Sequence, residues 1–193
     1  MKVLVVFLWI LISNAVVGVI TTCLLLYTAF WTNYYVIPVL YLLWFVWTWN
    51  SSRKNNFSWK TLRELRMWKE YCSYFPIKLV KTTELDPNTN YIFACHPHGI
   101  FAFGPFGCFA TEGANVKDIF PGLSMHFMIH SIPLALPFRE FLLSHGILSV
   151  EKSSFNNLLS TGAGKVAVVM PGGLQEVLYT STSGDLQLCL NNR

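Results

Sequence analysis

Hydrophobic positions run unbroken through the first quarter of the chain, then divide into short spaced segments. Between Lys2 and Arg53 there is no Asp, Glu, Lys or Arg. A secretory signal holds an apolar stretch of only about 7–15 residues, whereas one membrane-spanning helix needs about 20. The run holds two such segments, Val3–Phe30 and Tyr34–Trp49, with Thr32-Asn33 as the turn between them. It therefore predicts a retained transmembrane helical hairpin over residues 1–52. Pro38 makes the second arm short enough to be re-entrant. Lys2 precedes the run and Arg53, Lys54 and Lys60 follow it, which places both ends in the cytosol. The sequons at Asn50 and Asn56 are then expected to carry no sugar.

From Trp59 to Phe75 the period changes. Trp59, Leu62, Leu65, Trp68 and Cys72 recur about every third residue, with Lys60, Arg63, Arg66 and Lys69 between them. This predicts an amphipathic helix within residues 53–75. It either lies in a membrane interface or packs on its own domain, since both use the same pattern.

Residues 76–193 read as an α/β domain. Strands are expected at Ile77–Val80, Tyr91–Cys95, Ser124–Ile132, Ile147–Val150, Lys165–Met170 and Leu186–Leu190. Asp86-Pro87-Asn88 signals a turn. Gly104, Pro105 and Gly107 argue against a regular helix over 100–111. A helix is expected from Pro137 to His145, stopped by Gly146, and another from Ser153 through Leu159. Strands alternating with helical stretches make an α/β sheet the expected architecture.

Composition sharpens this picture. The 193 residues are 53% hydrophobic, 16% aromatic and 12% charged, against about 25% charged in ordinary soluble domains. The formal charge of +4 is too small and too dispersed to argue for nucleic acid, and suits an anionic membrane face better. The five cysteines lack metal-type spacing and read as reduced and mostly buried.

The densest candidate chemistry follows the Tyr91–Cys95 strand. Pro97 restrains the backbone between His96 and His98, and Gly99 lets the chain turn sharply. Imidazoles on a stiff turn at the carboxyl end of a strand can take a proton from a hydroxyl near neutral pH. The alternative is a structural pair bonded to backbone. Glu176 follows the Lys165–Met170 strand and its Gly172-Gly173 turn. In a parallel sheet it would reach the same rim, to orient an imidazole or a hydroxyl, or it simply opens a helix in solvent. Gly172 and Gly173 would let backbone amides approach a developing oxyanion. Three other patterns are weaker. His126 and His130 have helical zinc-ligand spacing but sit in a strand-like stretch, Gly162-Ala163-Gly164-Lys165 precedes a strand rather than opening a helix, and no Gly-x-Ser-x-Gly elbow occurs.

The stretches YFPIKLVKTTELDPNTNYIFACHPHGIFAFG, FATEG, FPG, PFREFLLSHG and GGLQE resemble the family of type 2 diacylglycerol acyltransferases, monoacylglycerol acyltransferases and wax-ester synthases. The resemblance covers about residues 44–193. It implies a membrane-anchored, partial glycerolipid-acyltransferase-like α/β sheet domain. The implied reaction is acyl-CoA-dependent esterification of a mono- or diacylglycerol or long-chain alcohol. His96, His98 and Glu176 would be catalytic, and Gly99, Gly172, Gly173 and Arg139 would lie on the substrate side. Acyl-CoA would be co-substrate, with no metal or other cofactor. A neutral-lipid acceptor, a membrane and oligomers with relatives are the implied partners. The endoplasmic reticulum membrane is the implied location, with lipid droplets as a second. Family members continue past the position of Arg193, so the chain reads as C-terminally truncated. The alternative is an inactive membrane protein that associates with full-length relatives.

Overall fold

The computed structural model describes residues 2–6, 15–54, 57–96 and 102–172. Four strands form one sheet: Tyr91–Ala94 (β1), Ser124–Ile129 (β2), Leu148–Ser149 (β3) and Lys165–Val169 (β4). Their spatial order is β1-β4-β2-β3, and every neighbouring pair is parallel. The valine-rich β4 is central because both its faces are covered. Val166 and Val168 pack into one apolar cluster with Phe127, Met125 and Phe93, while Ala167 faces a second cluster with Met128, Leu148 and Leu158. Such two-sided burial is the reason parallel strands read as continuous apolar runs.

The helices Ala15–Trp31 (α1) and Val36–Trp47 (α2) are joined by a bend at Thr32 and Asn33 and pack against one another. Thr32 Oγ1 donates to Thr28 O at 2.8 Å and accepts from Tyr34 N at 3.1 Å, which fixes the bend. Pro38 falls in the first turn of α2, where a missing N–H leaves no intrahelical bond unmade. The expected transmembrane hairpin is overturned, because among the described residues no helix is long and apolar enough to cross a membrane. The 17 residues of α1 and 12 of α2 rise about 25 and 18 Å, short of a hydrocarbon core of about 30 Å. Both helices also dock on the sheet domain. A Cβ added at Gly18 would lie 3.0 Å from Leu136 Cβ, and Tyr41 OH donates to the Glu140 carboxylate at 3.3 Å.

The Trp59–Phe75 stretch is not one helix. A turn at Lys60–Arg63 is separated from the helix Arg66–Tyr74 (α3) by Glu64 and by Leu65, whose ψ of 137° is not helical. Helix α3 buries Trp68, Tyr71 and Cys72 against the domain core. That face packs within the chain.

Residues 77–80 take no regular secondary structure and pair with no described strand, and Leu186–Leu190 lies outside the described residues. Phe103–Pro105 forms one helical turn leading into a π-helix at Phe106–Ala110. The helix Arg139–Ser144 (α4) ends at Gly146, whose φ of +73° suits glycine. The helix Lys152–Ser160 (α5) packs Phe155 and Leu158 on the second apolar cluster.

Candidate active site

The pairing of β1 with β4 places the site. Ala94 is level with Val169, and the ladder continues as Cys95 N–H donates to Val169 O at 2.8 Å. Continuing that register sets His96 level with Pro171, next to Gly172. Adjacent strands lie about 4.8 Å apart, so His96 and Gly172 stand on the same carboxyl rim as near neighbours. His96 is half-buried and Gly172 is buried. His98, Gly99, Gly173 and Glu176 lie outside the described residues.

Cys95 precedes the histidine turn. Burial, reinforced by Cys108, pushes its thiol up to about 11. It is therefore a protonated thiol at neutral pH, a poor nucleophile. Cys72 and Cys108 are buried, and burial likewise pushes each thiol up to about 11.

Arg139 is only 1% exposed and turns toward α2. Its Nη2 donates to Phe45 O at 2.8 Å and to Thr48 Oγ1 at 2.7 Å. Its guanidinium lies 3.9 Å above the Phe45 ring and 5.7 Å from that of Trp49. It thus caps the carbonyl end of α2, where a cation complements the helix dipole. Phe138 precedes it with φ +77°, a left-handed value rare for a bulky residue. This latch was not evident from sequence, because Arg139 and Phe45 are distant along the chain. The only local sign was a lone arginine after Leu136-Pro137-Phe138.

His126 and His130 do not converge. His126 is 2% exposed within β2 and bonds Ser124 Oγ through Nε2 at 3.0 Å, while His130 is exposed beyond the strand's end. Among the described residues no group of three His, Cys, Asp or Glu is placed to hold a metal. A polar hollow of about 310 Å³ beside Arg63, Glu112 and Lys117 includes Ser124, the first residue of β2. It opens on the amino rim, opposite the histidine turn. Arg63 there donates to Met125 O and Phe109 O, at 3.2 and 3.0 Å, and lies 3.8 Å from Glu112, which reads as structural pairing.

The fold is that of an α/β protein with His96 and Gly172 at the carboxyl ends of adjacent parallel strands. The profile of the family described as "Diacylglycerol acyltransferase" matches residues 27–193. The chain is 41% identical over 170 residues to "Acyl-CoA wax alcohol acyltransferase 2" of Homo sapiens, covering 87% of this chain and 51% of that protein. It is 40% identical over 163 residues to "2-acylglycerol O-acyltransferase 1" of Mus musculus, covering 83% and 48%. It is 38% identical over 187 residues to "Diacylglycerol O-acyltransferase 2" of Bos taurus, covering 96% and 51%. The chain belongs to the diacylglycerol acyltransferase family. It spans about half the length of these relatives. No solved structure matches it.

Proposed function

We propose that the protein is an acyl-CoA-dependent O-acyltransferase that esterifies a neutral-lipid hydroxyl on a mono- or diacylglycerol or a long-chain alcohol. The observation that carries this reading is the shared rim of β1 and β4, with His96 one strand away from Gly172. In the reaction an imidazole of the His96-Pro97-His98 turn takes the proton of the acceptor hydroxyl. The freed oxygen electron pair attacks the thioester carbonyl and forms the ester C–O bond. The C–S bond breaks, and coenzyme A leaves as thiolate and recovers the proton from the imidazolium. Backbone N–H groups of the glycine turn serve the oxyanion, and Glu176 orients the imidazole or hydroxyl. The raised thiol of Cys95 favours this direct transfer over a cysteinyl thioester.

The location in this reading is the endoplasmic reticulum membrane or a lipid droplet, where acceptor and ester dissolve. The exposed apolar side chains of α1 and α2 support it. Phe30 and Trp31 are each 73% exposed and Trp47 is 77% exposed. Such a face suits the acyl and headgroup boundary of a bilayer.

One observation favours a second reading, association with a full-length relative. Among the described residues β1 is an edge strand, and its Ile92 is 58% exposed.

The test uses the purified chain in lipid nanodiscs with radiolabelled palmitoyl-CoA and each acceptor. Ester formed by the wild type and lost in the His96→Ala, His98→Ala double variant is the expected result. Equal activity in the two proteins would reject the assignment.

A further inference from the structure

A second feature of the carboxyl rim is a cleft of about 490 Å³ between the sheet and α5. Its walls are Met128, Val150, Phe155, Val169 and Met170, with His130 as its single ionisable lining group. The volume falls within the range of about 300–1,000 Å³ usual for small-molecule sites. Met128, Phe155 and Val169 belong to the second apolar cluster, so the floor is part of the packed sheet face.

The cleft adjoins the carboxyl end of β4, the neighbour of β1. In parallel pairing, level residues project to the same side of the sheet. Val169 is level with Ala94, and Ala167 with Ile92. An apolar track therefore runs from the cleft over Val169 to Ala94, two residues before His96. Ala94 and Ile92 are both exposed.

We propose that this cleft seats the long unbranched alkyl chain of a reactant, with its carbonyl or hydroxyl end directed toward His96. The proposal rests on the acyltransferase reading above. No lysine or arginine lines the cleft, so it offers nothing to a phosphate or nucleotide, whereas its apolar walls match methylene groups. His130 supplies the one directional contact. Ile132 N–H donates to its Nδ1 at 3.2 Å, so the neutral ring carries its proton on Nε2. That N–H is a donor at the cleft mouth, two strands from β1. The chain can belong to the acyl thioester or to the acceptor, and competition separates them.

The probe is a thioether analogue of palmitoyl-CoA bearing a terminal diazirine, added to the purified chain in nanodiscs and photolysed. Label is expected in peptides containing Phe155 or Met170. Competition by palmitoyl-CoA assigns the cleft to the donor, and competition by hexadecanol alone assigns it to the acceptor. Val150→Trp, a change at a partly exposed wall, should reduce labelling by a 16-carbon probe at least about tenfold while an 8-carbon probe is retained. The wild-type map decides the matter even if that variant fails to fold. Label elsewhere, or none, overturns the proposal. Acyl transfer with label elsewhere removes the cleft but leaves the reaction. Label in the cleft without transfer removes the reaction but leaves the cleft.

Discussion

At the residue scale, His96 and Arg139 separate two ways in which a polar side chain can matter. His96 sits on a strand end, half-buried, where its removal leaves the sheet ladder through Cys95 N–H untouched. His96→Ala is therefore expected to lower acyl transfer by about 10²–10⁴-fold while moving the thermal midpoint little. A large fall in midpoint with proportionate activity loss would make it a structural histidine instead. Arg139 is the reverse case. Arg139→Met would strip a charged donor from Phe45 O and Thr48 Oγ1 and cost about 2–3 kcal/mol, read by urea unfolding. Arg139→Lys should recover only part of this, because an ammonium lacks the flat face that lies over Phe45. Sequence marked both residues as notable. It could anticipate where His96 sits, because strand and turn are local. It could not anticipate Arg139's partners, which come from a helix some ninety positions earlier.

At the element scale, what was legible followed strand pairing and burial. The apolar runs at Tyr91, Ser124 and Lys165 became strands because each pairs with another strand, with β4 and β2 covered on both faces and β1 on one. Ile77–Val80 has the same alternation, and Ile77 and Leu79 do pack on the core. Yet it pairs with no described strand, so alternation yielded irregular chain rather than sheet. The break at Leu65 was invisible because no glycine or proline marks it. It is tertiary: Trp68 Nε1 donates to Leu62 O at 2.7 Å and Arg63 turns inward to Phe109 O and Met125 O. Helix α3 is further held by a close backbone approach at Gly113. A Cβ there would lie 2.4 Å from Trp68 O, which cannot swing away as a flexible side chain would. Gly113→Ala is accordingly expected to cost about 1–3 kcal/mol, as overpacking does, and to expose Trp68 to acrylamide quenching. Unchanged quenching and stability would show that α3 can shift without consequence.

At the scale of the whole molecule, the apolar N-terminal run was legible as lipid-like but not in its geometry. Composition does not reveal that, among the described residues, the run's helices are docked and none is long and apolar enough to span. What joins α3 and the sheet is a buried interior that holds two uncharged histidines. Burial, with the Arg63 charge adding to it, depresses His126 to about 4. Burial depresses His145 to about 4 as well, against a Phe141 O bond that favours the charged ring. His145 Nδ1 is 2.8 Å from Phe141 O and must donate to it, which leaves Nε2 bare and without a partner in an aromatic setting of Trp68, Phe106 and Phe141. A second proton would be buried there with no acceptor. Unfolded, both rings return to about 6.5 and bind protons more readily than the folded chain. Stability from this source is thus complete above about pH 6.5, falls as the pH drops toward 4, and levels off below it. Each histidine contributes on the order of 3 kcal/mol at neutral pH. Urea midpoints measured at pH 7.5, 5.5 and 4.5 should decline accordingly. Carboxylates titrate over the lower part of the same range, so the decisive comparison is with His145→Gln. That variant is expected to be less stable at pH 7.5 but to lose less on acidification than the wild type. Parallel pH profiles for the two proteins would mean that His145 is not held neutral by its surroundings.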